Sequence, residues 1–187
     1  MSERDANEAA LLEHLFGVFQ TVNDWLRFAE AKNGAILALS GSALGILLGI
    51  MSNVPFPSKA LLGYVAACAM LLSGSVAAAL ASFVPRTRLP VRNRRSHAAA
   101  PNLLFYGDLA SMSPGEFLAE TRRALGMSAT DAALPMDEHV AAQIIANSRV
   151  TLWKFQLALV ATHLAGAAVL SPLFLLIHAY REWRARQ

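Results

Sequence analysis

Side chains with reactive chemistry are few and scattered in this sequence. Cys68, His163 and His178 each stand inside an apolar stretch. A lone cysteine in such a place reads as a small buried hydrophobe, and no Cys/His spacing suits a metal ion or a disulfide framework. A histidine there is either a proton switch or a donor to a backbone carbonyl, and the second reading is the simpler. No nucleophile–base constellation and no glycine loop for phosphates appears, so no enzyme activity, cofactor or metal is expected. Two polar or small-residue patterns stand out instead. Glu30, Lys32 and Asn33 sit where an apolar stretch begins, and Glu30 can pair with Arg27 or with Lys154, which holds the matching place further along. Such a pair would latch one state, while the plainer role is anchoring, with long side chains snorkelling to water. Gly41, Gly45 and Gly49 form a GxxxGxxxG face, extended by Gly34 and Ala38. Small residues let helices approach closely, either between chains or against Gly74, Ala78 and Ser82 of the next apolar stretch.

The elements that carry these residues are dictated by composition. Hydrophobic residues make up 55% of the 187, charged residues only 16%, and mean hydropathy is +0.41. The missing charge is concentrated in residues 34–51, 60–84 and 155–180, which hold no Asp, Glu, Lys or Arg. A bilayer core takes roughly 20 apolar residues in a helix, so an all-α membrane protein with about three spans is expected. Asn53, Pro55 and Pro57 end the first, and Pro85-Arg86 ends the second. The link is short, so the first two form an antiparallel hairpin. Ser171-Pro172 interrupts the third, which is tolerated where neighbours satisfy the freed carbonyl; the alternative is a segment that turns back at Pro172. Trp153, Tyr180 and Trp183 suit its interfaces. The charged N-terminus does not resemble a cleaved leader.

The net charge is +3 and the pI near 9.4, but the basic residues flank the spans, so membrane orientation explains them better than a nucleic-acid polymer. Arg4, Arg27 and Lys32 join Arg86, Arg88, Arg92, Arg94, Arg95, Arg122, Arg123, Arg149 and Lys154 on one side. Lys59, Arg181, Arg184 and Arg186 fall on the other. The excess predicts a cytoplasmic N-terminus (residues 1–33) and a cytoplasmic helical region at 85–154, with a basic tail at 181–187. Residues 8–30 form an amphipathic helix through Leu11, Leu12, Leu15, Phe16, Phe19, Val22 and Leu26, unbroken into the first span. A second helix starts at Pro135 with Asp137 and Glu138, carries Val140, Ala141 and Ile144, and runs into the third. Between them Ser113, Pro114 and Glu116 make a capping box, Phe117, Leu118 and Leu125 face inward, and Gly126 stops the helix.

Several local patterns occur in a fixed order against the spans. They are Phe28-Ala29-Glu30-Ala31-Lys32-Asn33, Val84-Pro85-Arg86, Asn102-Leu103-Leu104-Phe105-Tyr106-Gly107-Asp108, Ser113-Pro114-Gly115-Glu116-Phe117-Leu118, Gln143-Ile144-Ile145-Ala146-Asn147-Ser148 and Lys154-Phe155. Over roughly residues 25–165 the chain resembles the transmembrane effectors of Pycsar, the pyrimidine cyclase system for antiphage resistance. The resemblance implies a bacterial inner-membrane effector. In that family a partner cyclase makes cyclic CMP or cyclic UMP on infection, and the same sensing and membrane impairment would be expected of this chain. No β-roll nucleotide domain is present, so sensing falls to the helical water-side part. Arg86, Arg122 and Arg123 would then meet the phosphate, aided by the helix start at Ser113. Phe105 or Tyr106 would stack on the base, and Asn102 or Asp108, around Gly107, would read its edge. Plainer roles compete: a lipid-facing basic run for 86–95, a solvated face for Arg122 and Arg123, core packing for the rings, and turn-making for Asn102 and Asp108. The expected partners are the cyclic nucleotide, the bilayer and further copies of the chain. The alternatives are a small oligomeric channel or transporter subunit, or a membrane scaffold.

Overall fold

The structure is a computed structural model that describes residues 3–53, 58–85, 101–127 and 134–185, with side chains described except at 3–6, 174–180, 182, 183 and 185. Expectations on Pro55, Pro57, Arg86, Arg88, Arg92, Arg94, Arg95 and Arg186, and on the side chains of Arg4, His178, Tyr180 and Trp183, lie outside the described residues. Every regular element among the described residues is a helix: α1 (Glu3–Asn53), α2 (Lys59–Ala81), α3 (Tyr106–Leu109), α4 (Pro114–Ala124) and α5 (Pro135–Ala185). α1, α2 and α5 are each long and apolar enough to cross a membrane. Both α1 and α5 are unbroken over 51 residues, and α5 continues through Pro172 without turning back. The chain divides into two compact units. One is Met1–Ala29 with Pro85–Phe155, the other Glu30–Val84 with Gln156–Gln187.

The first unit is held by a core of large apolar side chains. Leu11, Leu15, Val18 and Val22 of α1 repeat at helical spacing and meet Phe117 and Leu118 of α4, Ala141, Ile144 and Ile145 of α5, and Leu109 and Met112. Phe117, Leu15 and Ile144 are fully buried. Phe16 was expected in this stripe but is exposed: it follows Leu15 by about 100° of helix rotation and so sits on the flank, while Val18 takes its place. The start of α4 is as its sequence requires. The Ser113 hydroxyl accepts from the Glu116 amide, and the Glu116 carboxylate accepts from the Ser113 amide at 2.7 Å, a cap worth about 1 kcal/mol. Gly126 follows the helix with φ 71°, a left-handed conformation that glycine adopts without steric cost. Leu125, expected inward, is exposed, because the chain has already left the α4 periodicity.

The second unit packs differently. α5 contributes Ala158, Ala161, Ala165 and Ala168, α2 contributes Val65, Cys68, Leu72, Ser75 and Ala79, and α1 adds Ser40. Hydroxyls tie the three helices together. Ser75 donates to the Ala161 carbonyl at 2.8 Å, and its oxygen lies 2.8 Å from that of Ser40. The Ser75 proton is spent on the carbonyl, so Ser40 is the donor to Ser75. A second tie stands at the proline. Pro172 has no N–H for the Ala168 carbonyl, and the Ser171 hydroxyl donates to that oxygen at 3.2 Å instead. Tyr64 of α2 closes on Ser171 at 2.7 Å, and by the same proton count Tyr64 donates. The freed carbonyl is thus satisfied from within α5, and the group that satisfies it is held by α2. His163 Nδ1 lies 2.7 Å from the Leu159 carbonyl, the plain role expected of it.

Candidate functional site

Residues 101–105 form a turn that leads into α3 and closes back on its Asp108. The Asn102 amide donates to the Asp108 carboxylate at 2.9 Å, the Leu104 amide donates to the Asn102 side-chain carbonyl at 3.0 Å, and the Phe105 amide donates to the Asn102 backbone at 3.1 Å. Both polar side chains suggested as readers of a base edge are engaged in shaping this turn. A β-carbon at Gly107 would run into the Phe105 ring, so glycine is what lets that ring fold over the start of α3. The result is an ordered pair of rings: Phe105 and Tyr106 lie 4.7 Å apart, and Tyr106 stacks on Phe155 of α5 at 5.1 Å, 16° from parallel. Burial pushes the Tyr106 phenol above its ordinary value of 10.0. Phe105 stays half exposed.

Three described arginines of this unit are engaged within it. Arg122, expected on a solvated face, is buried and lies 3.7 Å from the buried Asp137 carboxylate, which joins the end of α4 to the start of α5. Arg123 is exposed and grips both Glu120 oxygens at 2.6 Å. Arg149, read from sequence only as part of the orientation count, donates to the Ala110 and Met112 carbonyls at 3.2 and 2.9 Å. It thereby clamps the α3–α4 connection to α5. Asn147 donates to Asn23 at 2.8 Å and accepts from Gln143 at 3.0 Å, an amide ladder between α5 and α1. Its signal in the sequence is the Gln143–Asn147 spacing of four, which puts both amides on one helix face. Arg86 lies outside the described residues.

The suspected gating residues divide between the units. Lys154 belongs to the first and is largely buried, whereas Glu30 and Lys32 of the second are exposed and Asn33 is fully buried. The glycines are placed plainly. A β-carbon at Gly41, Gly45 or Gly49 would meet nothing within 4 Å, so this face is not used to pack α1 on α2. The face that is used carries Ser40, Ala43, Leu44 and Leu47. Gly74 does approach a neighbour, but it is Leu164 of α5, 3.2 Å from where a β-carbon would stand. No cluster of His, Cys, Asp and Glu suited to a metal ion occurs among the described residues.

Against known proteins, the profile of the Pycsar effector protein domain matches residues 14–181, which takes in all three apolar helices and both units. The chain belongs to the Pycsar effector family. A relative described as the Pycsar effector protein PtPycTM, from Propioniciclava tarda, is 32% identical over 140 residues. That stretch is 75% of this chain and 66% of the relative, so the match spans just under two thirds of the relative's length. No solved structure matches. The resemblance carried by the ordered motifs is thereby borne out, and with three apolar helices the chain is a membrane protein of the Pycsar effector family. The motifs also acquire physical meanings. Asn-Leu-Leu-Phe-Tyr-Gly-Asp is a self-closing turn under a ring pair, Ser-Pro-Gly-Glu a helix cap, and Gln-Ile-Ile-Ala-Asn-Ser an amide ladder backed by core isoleucines.

Proposed function

We propose that this chain is a membrane effector of antiphage defence that senses cyclic CMP or cyclic UMP in its first unit and responds by impairing the bacterial inner membrane. The observation that carries this reading is the family match running across both units, since it takes in the helical water-side part together with the spans. The half-exposed Phe105 ring, held over Gly107, is the stacking surface offered to a base. The phosphodiester falls to Arg86 in the basic run 86–95 and to Arg123, which would exchange Glu120 for the ligand. Asn102 and Asp108 serve by holding the ring rather than by reading the base. Twelve basic residues on one side support a cytoplasmic placement for this unit.

The response requires spans that assemble. Gly41, Gly45 and Gly49 present an open small-residue face, which suits close contact with another copy of α1. Ligand can drive such assembly only by binding the assembled state more tightly than the resting one. No enzymatic step and no cofactor enter this scheme.

Two experiments test it. Detergent-purified protein titrated with cyclic CMP, UMP, AMP and GMP is expected to bind one pyrimidine form and neither purine; binding to no pyrimidine form would sink the sensing role. In cells making the messenger, Gly45→Leu is expected to leave the fold and membrane insertion intact, because the site is open in the single chain, yet to abolish loss of membrane potential. Undiminished depolarisation removes the glycine face from the mechanism.

A further inference from the structure

Three rings form a triangle where the two long helices of the first unit approach their charge-free segments. Trp25 lies 6.3 Å from Phe28 and 6.3 Å from Phe155, and Phe28 lies 6.1 Å from Phe155. Tyr106 bolts the triangle to α3 through Trp25 at 5.6 Å and through its stack on Phe155. Phe28 is 56% exposed and Trp25 38% exposed, which is costly for aromatic surface left against water.

Phe28 and Ile46 are 46 − 28 = 18 residues apart on α1, and Phe155 and Leu173 are 173 − 155 = 18 apart on α5. Eighteen residues are five turns at 3.6 per turn, so Phe28 and Phe155 each share a helix face with a side chain of the charge-free segment. Those side chains are exposed: Ile46 67%, Leu173 55%, and Leu39, three turns from Phe28, 65%. In a spanning helix an exposed apolar face meets lipid. The exposed Lys32 lies between Phe28 and Leu39 on this face, and its long stem suits the boundary between acyl chains and water. The ring planes are 76°, 66° and 45° from one another, so the triangle offers no parallel slot for a nucleobase.

We infer that Trp25, Phe28 and Phe155 form a contact surface for the headgroup–glycerol zone of the bilayer, seating the first unit on the lipid its own helices enter. A tryptophan such as Trp25 is favoured at that depth, and the two phenylalanine rings add apolar area beside it. The inference rests on the membrane spans and is independent of the messenger.

The test uses the full chain reconstituted in phosphatidylcholine–phosphatidylglycerol vesicles. Trp153→Phe and Trp183→Phe leave Trp25 as the sole tryptophan. Nitroxide placed at the lipid headgroup is expected to quench Trp25 at least about twofold more than nitroxide deep in the acyl chains, with aqueous acrylamide weak, as for an interfacial ring. A second reporter, Phe28→Trp with Trp25, Trp153 and Trp183 all changed to Phe, is expected to show the same order. Quenching by acrylamide with none from either nitroxide places the surface in water and overturns the inference. Strongest quenching by the deep nitroxide overturns it as well. If cyclic CMP or cyclic UMP shields both reporters while headgroup nitroxide does not, the rings are a base platform instead.

Discussion

The two units of this chain are built on opposite packing rules. The first buries large aliphatic and aromatic side chains, with Phe117, Leu11, Leu15, Ile144 and Ile145 at its centre. The second brings together alanines, serines and Cys68, and leaves Leu39, Ile46, Met70 and Leu159 outward. Water supplies a driving force for burying apolar area. Lipid supplies none between helices, so close approach and hydrogen bonds must do the joining. α1 and α5 contribute to both units, and the side chains they turn inward change from large to small along their lengths.

Removing core volume from the first unit tests this contrast with the largest effect. Phe117→Ala is expected to cost about 3–5 kcal/mol, seen as a lowered thermal transition in detergent and as lost amide protection in α4 and the first half of α5. Protection of α2 is expected to persist; its loss would show that the units do not follow separate rules. Ser75→Ala removes the hydroxyl that links α1, α2 and α5. Its expected cost is smaller, about 1 kcal/mol, with faster exchange across α2. A change no larger than that of Ser73→Ala, at an exposed neighbour, would remove the hydroxyl tie from the account.

The smallest expected effect is a pH dependence confined to the first unit. Burial raises the Tyr106 phenol above 10.0, while the unfolded phenol ionises at that ordinary value. The folded state therefore holds its proton longer. The contribution of Tyr106 to stability is fully present below pH 10.0 and is lost as pH rises through the elevated folded value. Phenolate absorbance titrated from pH 9 upward, read about one unit either side of the ordinary value, is expected to lose a late component in Tyr106→Phe. An unchanged titration in the variant would mean that the ring is not shielded as described.

Much of this architecture is legible in the residues. The three charge-free stretches, the Ser113 cap, the Gly126 stop and the Pro135 start all follow from local rules that a neighbouring element does not alter. What escaped the sequence is where two elements compete for one side chain. Arg122 and Arg149 look alike as basic residues, yet one meets a buried carboxylate and the other two carbonyls; only tertiary placement distinguishes them. Gly41, Gly45 and Gly49 have the spacing of a packing face, but α2 meets the adjoining serine–alanine–leucine face, because the Ser40–Ser75 bond fixes the rotation of α1. Asn102 and Asp108 were candidates for reading a ligand because their chemistry allows it. Their partners turned out to lie within six residues, and a turn that closes on itself leaves no mark in the sequence to separate it from a binding loop.

The relay from Tyr64 through Ser171 to Ala168 sets the mechanical character of α5. Elsewhere along that helix, bending must stretch a backbone amide bond. At Pro172 one such bond is missing, and a hydroxyl held by a phenol on a different helix stands in its place. The distal part of α5 can therefore lean by parting one hydroxyl from another, so the compliance of this span is controlled from α2.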